Sequence, residues 1–165
     1  MRNKINLFLA CFITITSFIL GYLNMFTEKV TQVTSILHGN YFEKLFNILL
    51  HNIIISIFMI VSSILLIYIG PIFMTFITFY VFGTSISAIT EKPFLLYFFL
   101  KYPHFLSETI AIIIVLYISL NISKLVLVKL LGDDKPLLKN IHNEINQLKI
   151  SFILLVLSAV IEGFV

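Results

Sequence analysis

The chain has 165 residues, of which 59% are hydrophobic and only 12% are charged. Soluble domains carry about 25% charged residues, so the composition excludes an ordinary soluble domain. The net charge is only +3, and most lysines lie beside apolar segments, where they set the orientation of a membrane protein rather than bind nucleic acid. The single cysteine, Cys11, excludes an internal disulfide and a thiolate metal cluster.

The first apolar segment, at about residues 5–26, follows Arg2 and Lys4. It is longer than the core of a signal peptide, which has about 7–15 residues, and no small-residue cleavage site ends it. We therefore predict a membrane span whose N-terminus is cytoplasmic. The polar loop 27–44 follows, and its apolar residues at helical spacing predict a short helix on the membrane surface.

The stretch 45–90 contains no charged residue and is about twice the roughly 20 residues that one membrane helix needs. Gly70 and Pro71 form the only strong helix-breaking pair near its middle. We therefore predict two spans, at about 48–69 and 72–90, joined by a tight turn.

The fourth predicted span covers residues 103–123. Pro103 suits the first position of a helix, where its missing N–H costs nothing. His104 and Glu108 stand four residues apart and therefore share one face of this helix. A carboxylate inside a membrane span needs a partner or a water-filled pocket, so Glu108 is a candidate functional residue.

The polar segment 124–149 comes next and carries five lysines. Apolar residues on one face of 136–149 predict an amphipathic helix on the cytoplasmic side. This helix is expected either to lie on anionic lipid or to dock a cytoplasmic partner such as an ATPase. Residues 150–165 then form a short last span that contains Glu162. The predicted fold is all-α: one domain, residues 1–165, forming a polytopic transmembrane bundle of about five spans.

The basic residues predict the orientation of these spans. With the N-terminus inside, seven lysine and arginine residues flank the spans on the cytoplasmic side and four flank them outside. The excess of positive charge belongs in the cytoplasm. We therefore predict a multi-pass plasma-membrane protein with a cytoplasmic N-terminus and an external C-terminus.

This topology places polar residues at the outer ends of three spans, where we expect them to converge. They are His51 and Asn52 in the second span, Pro103, His104 and Glu108 in the fourth, and Glu162 and Gly163 in the fifth. The cluster has four interpretations: side chains solvated at the interface, a packing cluster, a contact site for a substrate or partner, or a metal site. The spacing matches no zinc, nucleophile or phosphate-binding signature. We therefore predict no enzymatic activity, no cofactor and no metal.

Three sequence pieces carry a family resemblance. They are Asn52, Pro103-His104 with Glu108, and Ile161-Glu162-Gly163-Phe164. Together, at these separations, they resemble the stage II sporulation protein M family of integral membrane proteins. The family usually has a glycine where this chain has Phe105, and its middle spans are richer in glycine. The chain therefore looks like a divergent branch.

The resemblance implies a non-enzymatic membrane protein. In spore formers the namesake works with cell-wall hydrolases during engulfment, and short relatives accompany an ABC-type ATPase in the biosynthesis of circular bacteriocins. The small size and the Ile-, Lys- and Asn-rich composition favour the second group. The implied role is a subunit for peptide maturation, export or self-protection, with other membrane proteins and a cytoplasmic ABC ATPase as partners; homo-oligomerisation stays open. The alternative is a scaffold for cell-wall hydrolases in engulfment.

Overall fold

The computed structural model describes residues 2–24, 41–89, 104–132 and 138–164. These residues form five helices: α1 (Arg2–Asn24), α2 (Tyr41–Leu65), α3 (Ile69–Ile89), α4 (His104–Leu130) and α5 (Leu138–Phe164). No strand occurs within the described ranges. The prediction of an all-α polytopic bundle is confirmed.

Four of the helices contain a stretch that is long and apolar enough to cross a membrane. These stretches are Lys4–Asn24, Leu45–Leu65, His104–Leu130 and Glu144–Glu162, and α3 adds a shorter one, Ile69–Thr84. Large apolar side chains cover the outside of the bundle; Phe8 in α1 is 68% exposed. A surface of this kind belongs in lipid, because a soluble bundle carries polar residues on its outer faces.

Helix α4 occupies the centre of the bundle. Half of its spanning stretch is buried, compared with about a fifth of the other spanning stretches. It packs against each of the other four described helices, and Val115 and Leu116 of α4 are almost completely buried. Residues at the start of α4 therefore lie where several helices meet.

Pairwise contacts show that successive helices alternate in direction. Near one end of the bundle Asn6 of α1 bonds to Asn121 of α4, and near the other end the rings of Phe18 and Phe105 lie 5.7 Å apart. Helices α1 and α4 are therefore antiparallel, since contacts later in α1 match contacts earlier in α4.

Serine hydroxyls define the directions of α4 and α5 in the same way. Ser151 donates a hydrogen bond to the carbonyl oxygen of Ala111, and Ser158 donates one to the carbonyl oxygen of His104. Helix α5 is therefore antiparallel to α4 and parallel to α1. The alternation brings the start of α4 and the end of α5 to the same end of the bundle.

The turn between α2 and α3 lies earlier than the sequence predicts. Helix α2 ends at Leu65 and α3 begins at Ile69, with Ile67 in a left-handed conformation between them. Gly70 and Pro71 belong to the first turn of α3 rather than to the connection. Proline is compatible with the first turn of a helix because the N–H groups there have no partner within the helix.

The predicted segment 124–149 is not a separate helix followed by a span. Its first residues belong to α4, and α5 runs without a break from Leu138 to Phe164. No proline or glycine occurs from 138 to 162, so nothing interrupts the helix where the polar pattern gives way to apolar residues. One helix therefore contains both the amphipathic part and the apolar part.

Helices α1 and α3 make the most extensive contact between helices. A Cβ atom on Gly21 would lie 2.8 Å from the backbone carbonyl carbon of Tyr80, and one on Gly83 would lie 2.8 Å from the backbone nitrogen of Tyr22. Only glycine permits two helix backbones to approach this closely. The Asn24 amide donates a hydrogen bond to the Tyr80 hydroxyl beside this crossing.

Candidate functional site

Three titratable side chains meet where α4 begins and α5 ends. The Nε2 atom of His104 lies 3.8 Å from Oε2 of Glu162. One nitrogen or carboxylate oxygen from each of His104, Glu108 and Glu162 lies within 4.8 Å of the others. These three residues and the adjacent Asn52 of α2 are termed the polar hub.

Helix geometry and one interhelical hydrogen bond position the three titratable groups. His104 and Glu108 are one turn apart on α4, so their side chains project from the same face. Ser158 of α5 donates a 3.1 Å hydrogen bond to the carbonyl oxygen of His104. Glu162 follows Ser158 by one turn on α5, and it therefore faces the same region.

Asn52 closes the hub from the α2 side. Its side chain is only 4% exposed and faces the Glu108 carboxyl group. Its Nδ2 atom has no hydrogen-bond partner of normal geometry among the described residues. A buried amide without a partner is costly, so the hub holds a donor that is available to a further group or to a tighter Glu108 contact.

The hub is buried on one side and accessible on the other. His104 is 6% exposed, whereas the Glu162 side chain is 34% exposed. Glu108 has intermediate exposure. The hub can therefore be reached from the α5 side of the bundle, while its α4 and α2 sides are packed.

The other predicted site residues lie outside this cluster. The His51 side chain is exposed, because adjacent residues on a helix point about 100° apart and Asn52 is the one that faces inward. Gly163 lies in the last turn of α5 beside Glu162. Pro103 lies outside the described residues.

A family model described as stage II sporulation protein M matches residues 5–165. The chain belongs to this family. Comparisons with curated proteins and with solved structures give no match. The stage II sporulation protein M match includes every residue of the polar hub and nearly all of α1, so it covers both ends of the bundle.

The bundle of this stage II sporulation protein M family member contains a second polar group, at the end opposite the polar hub. The Asn6 amide donates a 2.7 Å hydrogen bond to Asn121, and the Asn121 amide donates a 2.9 Å bond to Glu144. We term these three residues the asparagine chain. The sequence analysis missed it; the available signal was a pair of asparagines and a glutamate beside or within apolar runs.

A cavity of about 370 Å³ lies next to the asparagine chain. It is lined by Lys4, Leu7, Ile114, Tyr117, Gln147 and Ile150. The Glu144 Oε2 and Gln147 Oε1 atoms are buried and have no hydrogen-bond partner within the described part of the chain. Most of the lining is apolar, so the cavity suits a largely apolar group.

The two polar groups have different chemical capacities. The polar hub combines an imidazole with two carboxylates, which can bind cations or exchange protons. The asparagine chain pairs two neutral amides with one carboxylate, and both of its contacts between helices are hydrogen bonds. The hub is therefore the stronger candidate for a functional site.

Proposed function

We propose that the chain is a non-enzymatic subunit of a membrane assembly that matures, exports or protects against a bacteriocin-type peptide, together with a separate ABC-type ATPase. The observation that carries this proposal is the continuity of α5. Its first residue, Leu138, precedes the apolar stretch Glu144–Glu162. Its last turn carries Glu162 into the polar hub. An unbroken helix transmits a displacement at one end to the other.

The inner part of α5 offers a polar surface for such a partner. Asn146 and Lys149 are exposed, although they lie within the stretch that is apolar enough to span a membrane. Exposed polar side chains in such a helix favour contact with lipid headgroups or with another protein. In the proposed assembly the ATPase contacts this inner part, and the peptide is handled at the hub end.

A helix-breaking substitution tests the coupling. Asn146→Pro interrupts α5 within the inner surface and so separates the residues before it from the polar hub, at a cost of about 3 kcal/mol for proline within a helix. Asn146→Ala is the matched control, because it removes the same exposed side chain and preserves the helix. Both variants should insert into the membrane and co-purify with the proposed ABC ATPase partner, but only Asn146→Pro should lose peptide export or protection.

Two outcomes would contradict this proposal. Full export or protection by Asn146→Pro would show that α5 does not couple its two ends. Failure of the unmodified chain to co-purify with any ABC ATPase would show that the proposed partner is wrong. Circular dichroism and membrane fractionation of both variants establish that the comparison concerns folded, inserted protein.

A second candidate is a membrane scaffold for cell-wall hydrolases during engulfment, a role in keeping with the sporulation name of the family. This role requires contacts on the external side, through the segments 27–44 and 91–102, most of whose residues lie outside the described ranges. Gene neighbours distinguish the two candidates. A peptide precursor and an ATPase gene support the peptide assembly, whereas sporulation and hydrolase genes support the scaffold.

A further inference from the structure

We propose that the polar hub binds a divalent transition-metal ion through His104, Glu108 and Glu162. The proposal does not depend on the peptide assembly, because it concerns only the chemistry of the hub. It differs from the prediction of no metal, which rested on the absence of a sequence signature. The three residues come from two helices, and the spacing between Glu108 and Glu162 matches no local metal motif.

The distances between the side chains suit a small ion. Ligand atoms bonded at about 2.0–2.1 Å in a tetrahedral site lie about 3.3 Å from one another. The His104 Nε2 and Glu162 Oε2 atoms are 3.8 Å apart, and the atoms of all three residues lie within 4.8 Å of one another. Side-chain rotations that bring the ligand atoms about 0.5–1.5 Å closer together would complete this geometry.

The charges of the hub also favour a dication. Two carboxylates lie close together within spanning helices, where isolated negative charge is costly. His104 can supply at most one positive charge, and then only when it is protonated. A divalent ion compensates both carboxylates and accepts a lone pair from the neutral imidazole, so each of the three groups contributes in its metal-binding form.

Asn52 is an independent observation that supports this site. It is more than nine-tenths buried and faces Glu108, and its Nδ2 atom has no partner of normal geometry in the described ranges. A carboxylate that binds a metal normally also accepts a hydrogen bond from a neighbouring group, which holds it in place. Asn52 is placed to donate this bond to the Glu108 oxygen that does not bind the metal.

The donor set selects the class of metal. Imidazole favours Zn²⁺ and its neighbours in the first transition series, whereas Mg²⁺ and Ca²⁺ prefer sites made of oxygen alone. Three protein ligands leave one tetrahedral position open. Glu162 is the partly exposed member of the set, so the open position faces the accessible side of the hub and can accept water or a donor group from another molecule.

Metal titration of the full chain in detergent micelles tests the proposal. The protein is purified without a histidine tag, treated with chelator and titrated with Co²⁺ and then with Zn²⁺. We expect one ion per chain, a visible Co²⁺ spectrum that Zn²⁺ abolishes, and no competition from excess Mg²⁺. His104→Gln, Glu108→Gln and Glu162→Gln should each weaken binding at least about tenfold, since loss even of an outer-shell group costs about 10–100-fold.

Two variants serve as matched controls. His51→Gln removes an exposed histidine one residue from Asn52, and Glu144→Gln removes the carboxylate of the asparagine chain. Both should bind Co²⁺ as the unmodified protein does. Absence of stoichiometric binding, or equal binding by the hub variants, would overturn the proposal.

A measurement on the unmodified chain keeps the test decisive where a hub variant does not fold. X-ray absorption of the Zn²⁺ complex should show only nitrogen and oxygen ligands, with one imidazole. A thiolate ligand, or two or more imidazoles, would place the ion elsewhere and overturn the proposal.

Discussion

His104 and Glu162 face each other across the interface of α4 and α5, with Nε2 of one 3.8 Å from Oε2 of the other. Ser158, one helical turn before Glu162 on α5, donates a hydrogen bond to the His104 carbonyl oxygen. Side-chain and backbone contacts therefore join the start of α4 to the end of α5. This junction holds the polar hub together.

The His104–Glu162 contact should contribute measurably to the stability of the metal-free protein. We expect His104→Gln and Glu162→Gln each to destabilise the bundle, and the double variant to lose less than the sum. The coupling should be about 0.5–1.5 kcal/mol, the range for polar contacts between membrane helices. Denaturant unfolding in micelles with chelator measures it. Strictly additive effects would show that the two groups do not interact.

The glycines at the α1–α3 crossing should tolerate no side chain. Gly21→Ala places a methyl group against the Tyr80 backbone, so the helices must separate, and we expect a loss of about 3 kcal/mol or more in the free energy of unfolding. Gly132→Ala is the control: its φ of 82° makes alanine mildly unfavourable, but nothing lies within 4 Å. An equal loss in the two variants would contradict the tight crossing.

Asn121 should contribute more to the stability of the bundle than its burial alone suggests, because it makes hydrogen bonds to residues of two other helices. Asn121→Leu leaves the amide of Asn6 and a carboxylate oxygen of Glu144 without their partner. We expect a destabilisation of about 1–3 kcal/mol, the cost of unsatisfied buried polar groups. Asn146→Leu provides the comparison, since Asn146 is exposed. Thermal unfolding monitored by circular dichroism should separate the two variants.

The orientation of the bundle can be measured with single cysteines in a Cys11→Ser background. Phe42 near the start of α2 is 79% exposed, and Leu131 just after α4 is 77% exposed. Asn52 of α2 faces Glu108 of α4, and Ser123 of α4 donates a hydrogen bond to the carbonyl oxygen of Ser63 in α2. Helices α2 and α4 are therefore parallel, and Phe42 and Leu131 lie at opposite ends of the bundle. An impermeant maleimide should label Phe42→Cys on intact cells and spare Leu131→Cys. Labelling of Leu131→Cys alone would reverse the predicted orientation.

Composition and helix periodicity were sufficient to predict the fold class. The long charge-free stretch can only be helical in a bilayer, because the backbone must satisfy its own hydrogen bonds there. The meeting of His104, Glu108 and Glu162 also follows from alternating helices, since each of these residues lies near a helix end. The same reasoning did not separate Asn52 from His51, because the rotation of α2 depends on its neighbours.

Contacts between residues that are far apart in the chain could not be predicted from a single sequence. Asn121 looks like the end of a span until Asn6 and Glu144 are placed beside it. Gly21 is one small residue in an apolar run until its neighbour Tyr80 is known. In both cases the decisive information is the identity of the facing residue, and local patterns do not contain it.

Phe105 has a packing role that the sequence alone does not reveal. Its ring stacks on Phe82 at 4.6 Å and lies 5.7 Å from Phe18. A glycine at this position would leave the space between α1, α3 and α4 to be filled by other groups. The aromatic cluster therefore offers a packing reason for phenylalanine beside His104.

The α1–α3 crossing has a consequence for how the protein is made. During synthesis α1 enters the bilayer before its principal partner exists, and it reaches that partner only after α3 has followed. Glu108 similarly arrives before Glu162, when Asn52 is the one hub residue already inserted on another helix. At that stage the Glu108 carboxyl group lacks its partner on α5, and His104 and Asn52 are the members of the polar hub that are available to it.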